Sequence, residues 1–176
     1  KLEDIIIKEI EKLNISDEKF YYRLLKKLIP IIKNRLIDIR NEEELKEVIE
    51  ENIDDYKLEK AGKELISKVM ENCSNITNKI DFDDMIWLPV IKSFDSTDYD
   101  WVFVDELQDL NKCQFELIKL LCNKNTRVIG VGDRFQSIYS FRGADPDMMD
   151  KFKEHFSCAE LPLSICYRCP KSHVNL

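Results

Sequence analysis

Three short stretches of this chain gather the side chains that do chemistry, and each follows an apolar run. Asp105 and Glu106 come directly after Trp101-Val-Phe-Val104. Asp133 follows Arg127-Val-Ile-Gly-Val131, with Gln136, Tyr139, Phe141 and Arg142 just beyond it. Tyr167 and Arg168 follow Glu160-Leu-Pro-Leu163. Two neighbouring carboxylates can hold magnesium, a hard cation that takes carboxylate oxygens and keeps several waters, and can activate a water beside it. An arginine near phosphate can stabilise transferring negative charge. Tyr139 and Phe141 can stack on nucleic-acid bases, since every base offers a π-face, or can pack as buried aromatic mass.

These residues need a scaffold that brings strand ends together. Four bulky residues without polar alternation, Trp101–Val104, suit a strand buried on both faces of a parallel sheet. Its carboxyl edge is where ligands bind in open α/β sheets. From there the pattern runs strand, helix, strand: an amphipathic helix over 112–123, a second strand over 127–131, a helix over 145–156, and a short third strand over 160–163. Alternating strands and helices predict a parallel α/β sheet. Adjacent strands ending in Asp105-Glu106 and Asp133 would then surround one crevice.

Residues 1 to about 78 read differently. Leu2, Ile5, Ile6, Glu9, Ile10 and Leu13 define one helical face. Ser16 or Asp17 can cap a second helix, in which Pro30 is expected to cause a bend or break. Asn41 with Glu44 resembles a capping box, and Asp54 or Asp55 opens a further helical pattern that includes the weak former Gly62. Asp81 is a candidate cap for a helix that kinks or stops near Pro89. Lys26, Lys27 and Lys33 are expected on a solvated face, where they could also touch phosphate.

Composition narrows the classes. With 44% hydrophobic residues, 176 residues can build one ordinary domain or two small ones. Charged residues reach 35% but are mixed in sign, which argues against disorder. No apolar stretch is long enough to span a bilayer, so no membrane role is expected. The net charge of −7 counts against tight DNA binding by this segment alone. Cys113 and Cys122 fall in a predicted helix as small hydrophobes. Cys166 and Cys169 form a lone C-x-x-C without a second ligand pair. Free cysteines point to a reducing, cytoplasmic setting. The chain opens without Met inside a helical pattern and ends on what reads as a helix start, as a piece of a longer protein would.

Taken in order, Asp105-Glu-Leu-Gln-Asp109, Gly132-Asp-Arg-Phe-Gln-Ser-Ile-Tyr-Ser-Phe-Arg-Gly-Ala144 and Cys166-Tyr-Arg168 resemble motifs II, III and IV of the UvrD/Rep-like superfamily 1 DNA helicases. Ile80-Asp-Phe-Asp-Asp84 resembles a segment that precedes motif II in that family. The resemblance implies an α/β fold: a partial RecA-like P-loop NTPase parallel sheet with helices on both faces, carried by residues 79–176. Residues 1–78 would be an all-helical accessory subdomain inserted in the first motor domain. It implies ATP and Mg2+ as cofactors and single-stranded DNA and single/double-strand junctions as partners, engaged together with the remaining helicase domains. Movement would be 3′ to 5′.

By the same resemblance, Asp105 would hold magnesium with Glu106 beside it, and Glu106 would be the general base. Gln136 would sense the γ-phosphate, Tyr167 would stack near the adenine, and Arg168 would reach the γ-phosphate. Tyr139 and Phe141 would hold DNA bases. Gln108, Asp109, Asp133 and Arg142 would couple the nucleotide and DNA sites. Phe141 stands where many relatives have Trp, and Cys166 where Asn is frequent. No G-x-x-x-x-G-K-[ST] phosphate loop occurs among these residues, so the isolated chain is expected to be inactive. The rival readings are a non-catalytic interaction module and the motor segment of a helicase–nuclease.

Overall fold

The computed structural model of the chain describes residues 1–52, 60–95, 99–136 and 147–163. Among them are seven α-helices and one two-stranded parallel sheet. The helical body comprises α1 (Leu2–Leu13), α2 (Glu18–Arg35), α3 (Glu42–Asn52), α4 (Lys60–Asn75) and α5 (Phe82–Ile91). Then come β1 (Trp101–Val104), α6 (Lys112–Leu120), β2 (Arg127–Gly130) and α7 (Met148–Phe156).

The helix starts follow from local chemistry. Asp17 caps α2 by accepting from the Phe20 N–H at 3.2 Å. Asn41 Oδ1 accepts from the Glu43 and Glu44 N–H groups at 3.1 and 3.4 Å, ahead of α3. Asp81 and Asp84 form a reciprocal capping box on α5, as Asn111 and Gln114 do on α6. Each such cap satisfies amide groups that a helix start leaves without partners, a contribution of about 1 kcal/mol.

Of the bend or break expected at Pro30, the break does not occur: α2 continues to Arg35. Leu28, Ile29 and Ile32 beside it are fully buried. At about 1.5–3 kcal/mol each, their burial outweighs the roughly 3 kcal/mol that an interior proline costs. Helix α5 ends at Ile91, near Pro89 as expected.

Two hydrophobic cores organise the described residues. The larger lies among α1 to α5 and also takes in Cys113 of α6. The smaller is built from Val104, Leu107, Phe115, Ile118, Met148 and Phe152, under one face of the sheet. Helix α6 serves both, with Cys113 in the first and Phe115 and Ile118 in the second. It is therefore the element through which the helical body bears on the strand ends.

The sheet pairs Trp101 with Arg127 through to Val104 with Gly130. Only one of its faces is covered among the described residues, which corrects the expectation of two-sided burial. Trp101 and Phe103 stand on the open face, Phe103 being 70% exposed, and their rings stack at 6.0 Å. An apolar run records that a face avoids water, not which element covers it. The expected third strand over 160–163 is also absent: Leu161 and Leu163 are 84% and 90% exposed, without a strand partner among the described residues. The α/β class with a short parallel sheet and an all-helical part stands as expected. No helix among the described residues is long and apolar enough to cross a membrane.

Candidate active site

The acidic turn begins where β1 runs out. Asp105 Oδ1 accepts from the Glu106 N–H at 2.9 Å. Glu106 then adopts a left-handed conformation, with φ 51° and ψ 44°. A non-glycine residue there carries a cost of about 1 kcal/mol or more, and such strain gathers at functional sites. Three contacts hold it. The Leu107 N–H donates to Val131 O at 2.9 Å, the Asp109 N–H donates to Glu106 O at 2.9 Å, and the Leu107 side chain is buried in the smaller core. Leu107–Asp109 form a single 3-10 turn, and Asn111 caps α6 directly after it.

The second strand reaches the same place. The Val131 N–H donates to Val104 O at 2.8 Å, which extends the parallel pairing beyond β2. Asp133 then folds a short turn around itself. Its Oδ1 accepts from the Phe135 N–H at 3.0 Å and its Oδ2 from Gln136 Nε2 at 2.6 Å.

Gln108 joins the two turns. Its Nε2 donates to Glu106 Oε2 at 2.7 Å, and its Oε1 accepts from the Asp133 N–H at 2.9 Å. A hydrogen-bonded path thus runs from Glu106 through Gln108 and Asp133 to Gln136. Gly132 is what lets the turns approach. A Cβ there would meet Gln108 Oε1 at 2.7 Å and the Leu107 Cβ and backbone N at 3.0 and 3.1 Å.

Asp105 and Glu106 are both exposed, while Gln108 is buried. A carboxylate held by a buried carboxamide yet open to solvent can orient a water and accept its proton. Asp109 Oδ1 is buried and has no hydrogen-bond partner among the described residues. The pair Asp105 and Glu106 fits magnesium. That ion is usually held by one or two carboxylates plus phosphate and water, and among the described residues no larger cluster of metal-ligating side chains occurs. Of the residues singled out from sequence, Asp105, Glu106, Gln108, Asp109, Asp133 and Gln136 come together here. Tyr139, Phe141, Arg142, Tyr167 and Arg168 lie outside the described residues, as does the Cys166–Cys169 pair. The close approach at Gly132 was not anticipated. Its signal was a glycine directly before the acid that ends the second strand.

Lys26 and Lys27 are exposed, as expected, whereas Lys33 is not. Lys26 pairs with Glu3, and Lys27 donates to Asn52 O. Lys33 is buried and joined to Asp84 Oδ1 at 2.8 Å, while Lys1 reaches Asp84 Oδ2 at 2.8 Å. Lys33 Nζ also lies 5.3 Å from the centre of the Trp87 ring. Burial pushes the Asp84 carboxyl up, but the hydrogen bonds from Lys1 and Lys33 outweigh it and hold Asp84 below the usual range. Burial pulls the Lys33 amine down, yet Cys73, Asp84 and Asp81 around it raise it above the usual range.

Comparison with known proteins places the chain in a family. The model of the UvrD/REP helicase N-terminal domain matches residues 1–157. An ATP-dependent DNA helicase Rep of Buchnera aphidicola is 44% identical over 87 residues, 45% of this chain and 14% of that protein. An ATP-dependent DNA helicase PcrA of Staphylococcus epidermidis is 30% identical over 180 residues, 97% of this chain and 24% of that protein. A PcrA of Staphylococcus aureus is 35% identical over 105 residues, 54% of this chain and 14% of that protein. The chain therefore spans a quarter or less of the length of these relatives. With the matched stretch running through the whole helical body and both strand ends, this chain belongs to the UvrD/REP helicase family.

Proposed function

We propose that the chain is one segment of an ATP-dependent DNA helicase, in which ATP hydrolysis drives movement on single-stranded DNA, 3′ to 5′, and unwinding at single/double-strand junctions. Residues 1–78 form the accessory subdomain, and residues 79–176 belong to the first motor domain. The observation that carries this reading is the path from Glu106 through Gln108 and Asp133 to Gln136. It links the ends of two parallel strands, where nucleotide chemistry occurs in such sheets.

Glu106 is the general base, kept in orientation by Gln108. Asp105 and Glu106 are the side chains that would hold magnesium, which neutralises phosphate charge when bound. Gln136 contacts the γ-phosphate and passes its presence back to Asp133. Arg168 adds positive charge there and Tyr167 stacks near the adenine. Tyr139 and Phe141 grip bases, and Arg142 with Asp109 ties that grip to the nucleotide site. A cytoplasmic location accompanies this activity.

The test uses the longer protein that carries these residues. Glu106→Gln abolishes turnover and leaves nucleotide and DNA binding largely intact. Phe141→Ala retains basal hydrolysis and weakens single-strand affinity by roughly five-fold to a hundred-fold, the loss of one stacked base. An unchanged affinity with a destabilised fold makes Phe141 a core residue. The isolated chain shows no ATPase with or without single-stranded DNA. A DNA-stimulated turnover that survives purification and disappears in Glu106→Gln overturns that expectation.

A further inference from the structure

Asn34 stands near the end of α2, directly after Lys33, and its carboxamide faces two other helices. Its Nδ2 donates to Asp83 Oδ1 of α5 at 3.3 Å, and its Oδ1 accepts from Asn111 Nδ2 at 3.2 Å. Asn111 is buried and caps α6 immediately downstream of the acidic turn. Its own Oδ1 is committed to the Gln114 N–H at 2.9 Å. The directions are therefore determined. Asn111 can offer Asn34 only its donor, Asn34 must answer with its oxygen, and the remaining donor of Asn34 meets a carboxylate, which when ionised can only accept. The buried Lys33–Asp84 pair beside it holds α2 against α5, so that Asn34 is presented in register.

The turn that carries Glu106 thus has two anchors. One is just past the end of β2, through Leu107 N–H and Val131 O. The other is the α6 cap, and it is tied to the helical body across 77 residues of sequence by Asn34. A general base must stay within about 2.6–3.2 Å of its proton, and a misplacement of about 1 Å can cost a hundred-fold in rate.

We infer that Asn34 is a positioning residue for the Glu106 turn: one carboxamide of the helical body, bonded to Asp83 and to the Asn111 cap, sets where the catalytic carboxylate sits. This rests on the reading of Glu106 as the base. Asn34 itself touches no reacting group.

The experiment is made on the longer protein, well below its melting midpoint. Asn34→Asp keeps the acceptor for Asn111 but sets a carboxylate against Asp83. It lowers kcat roughly ten-fold, part of what a full misplacement costs, with KM for ATP unchanged. Adding Asp83→Asn to Asn34→Asp restores a donor facing an acceptor and recovers kcat. Asn111→Asp keeps an oxygen for the Gln114 N–H, removes the donor to Asn34, and shows the same kcat loss. It also carries the test if Asn34→Asp does not fold. If these variants lower the melting midpoint while kcat holds, or if the double variant recovers stability but not kcat, Asn34 is structural and the inference is overturned. Failure of the site reading is separate: Glu106→Gln would then turn over normally, whatever the Asn34 variants do.

Discussion

In the helical body, Lys33 and Asp84 are both fully buried and joined at 2.8 Å. At the strand ends, Asp105 and Glu106 are both exposed, and they accept from a backbone N–H and a carboxamide. The first arrangement neutralises charge inside a core, where an unpaired ion is expensive. The second leaves two acids without a cationic partner among the described residues, but aimed. Paired and dry charge holds elements together, whereas open charge on a strained turn is available for a metal, a water and a proton. The residue types alone do not separate the two. Asp83-Asp84 and Asp105-Glu106 look equally reactive on paper.

The sharpest break of this contrast is Glu106→Gln. Turnover in the longer protein should fall about 10²–10⁴-fold, the usual contribution of general base catalysis. The unfolding free energy of the isolated chain, from denaturant titration, should change by no more than about 0.5 kcal/mol, as for other exposed sites. A large loss of stability would make the open acid structural after all.

Lys33→Met probes the other side. It leaves Asp84 buried with Lys1 as its remaining partner, and should cost about 3–5 kcal/mol in chemical denaturation. Stability against pH gives the same information with its sign. The folded pKa of Asp84 is lowered, so its contribution is complete above the ordinary aspartate range and is lost as pH falls through the folded value. That of Lys33 is raised, so its contribution is complete below the ordinary lysine range and is lost as pH climbs through the folded value. Both limbs should weaken in Lys33→Met. Unchanged limbs would mean that the pair contributes little.

Gly132→Ala tests the closeness of the two turns. The added methyl meets Leu107 backbone and side chain as well as Gln108, and overpacking of this kind costs about 1–3 kcal/mol. It should lower turnover by less than Glu106→Gln does, because the carboxylate is displaced and not removed. The smallest effect is expected from Asp83→Asn. Burial raises the Asp83 carboxyl despite the Asn34 hydrogen bond. Ionisation therefore subtracts stability as pH rises from the ordinary aspartate range through the folded value, and the amide should gain under about 0.5 kcal/mol at neutral pH. A loss would show that the charge at Asp83 is needed.

Much of the fold was legible because its signals are local. Asp17, Asn41 and Asp81 precede helices that they cap, and a cap needs only its own next turn. The acid that ends each strand was equally visible, since an apolar run followed by carboxylates is a pattern within a few residues. What misled were features whose meaning depends on distant packing. Pro30 reads as a bend or break, yet the helix continues through it, held by the core around it. Trp101-Val-Phe-Val104 reads as covered on both faces, and one face is open among the described residues.

By itself, then, the sequence determined where helices begin, where the two strands stop in acid, and which family the ordered motifs resemble, because caps, periodicity and motif spacing are short-range properties. The tertiary structure decided that Lys33 is an internal counter-ion and not a solvated base, with its partner 51 residues away. It also decided that Gln108 bridges Glu106 to Asp133, and that Asn34 reaches the cap behind the acidic turn. The fate of a charge or a carboxamide depends on which partners folding brings within about 3 Å and whether water is excluded there. Neither condition is written in the order of residues around it.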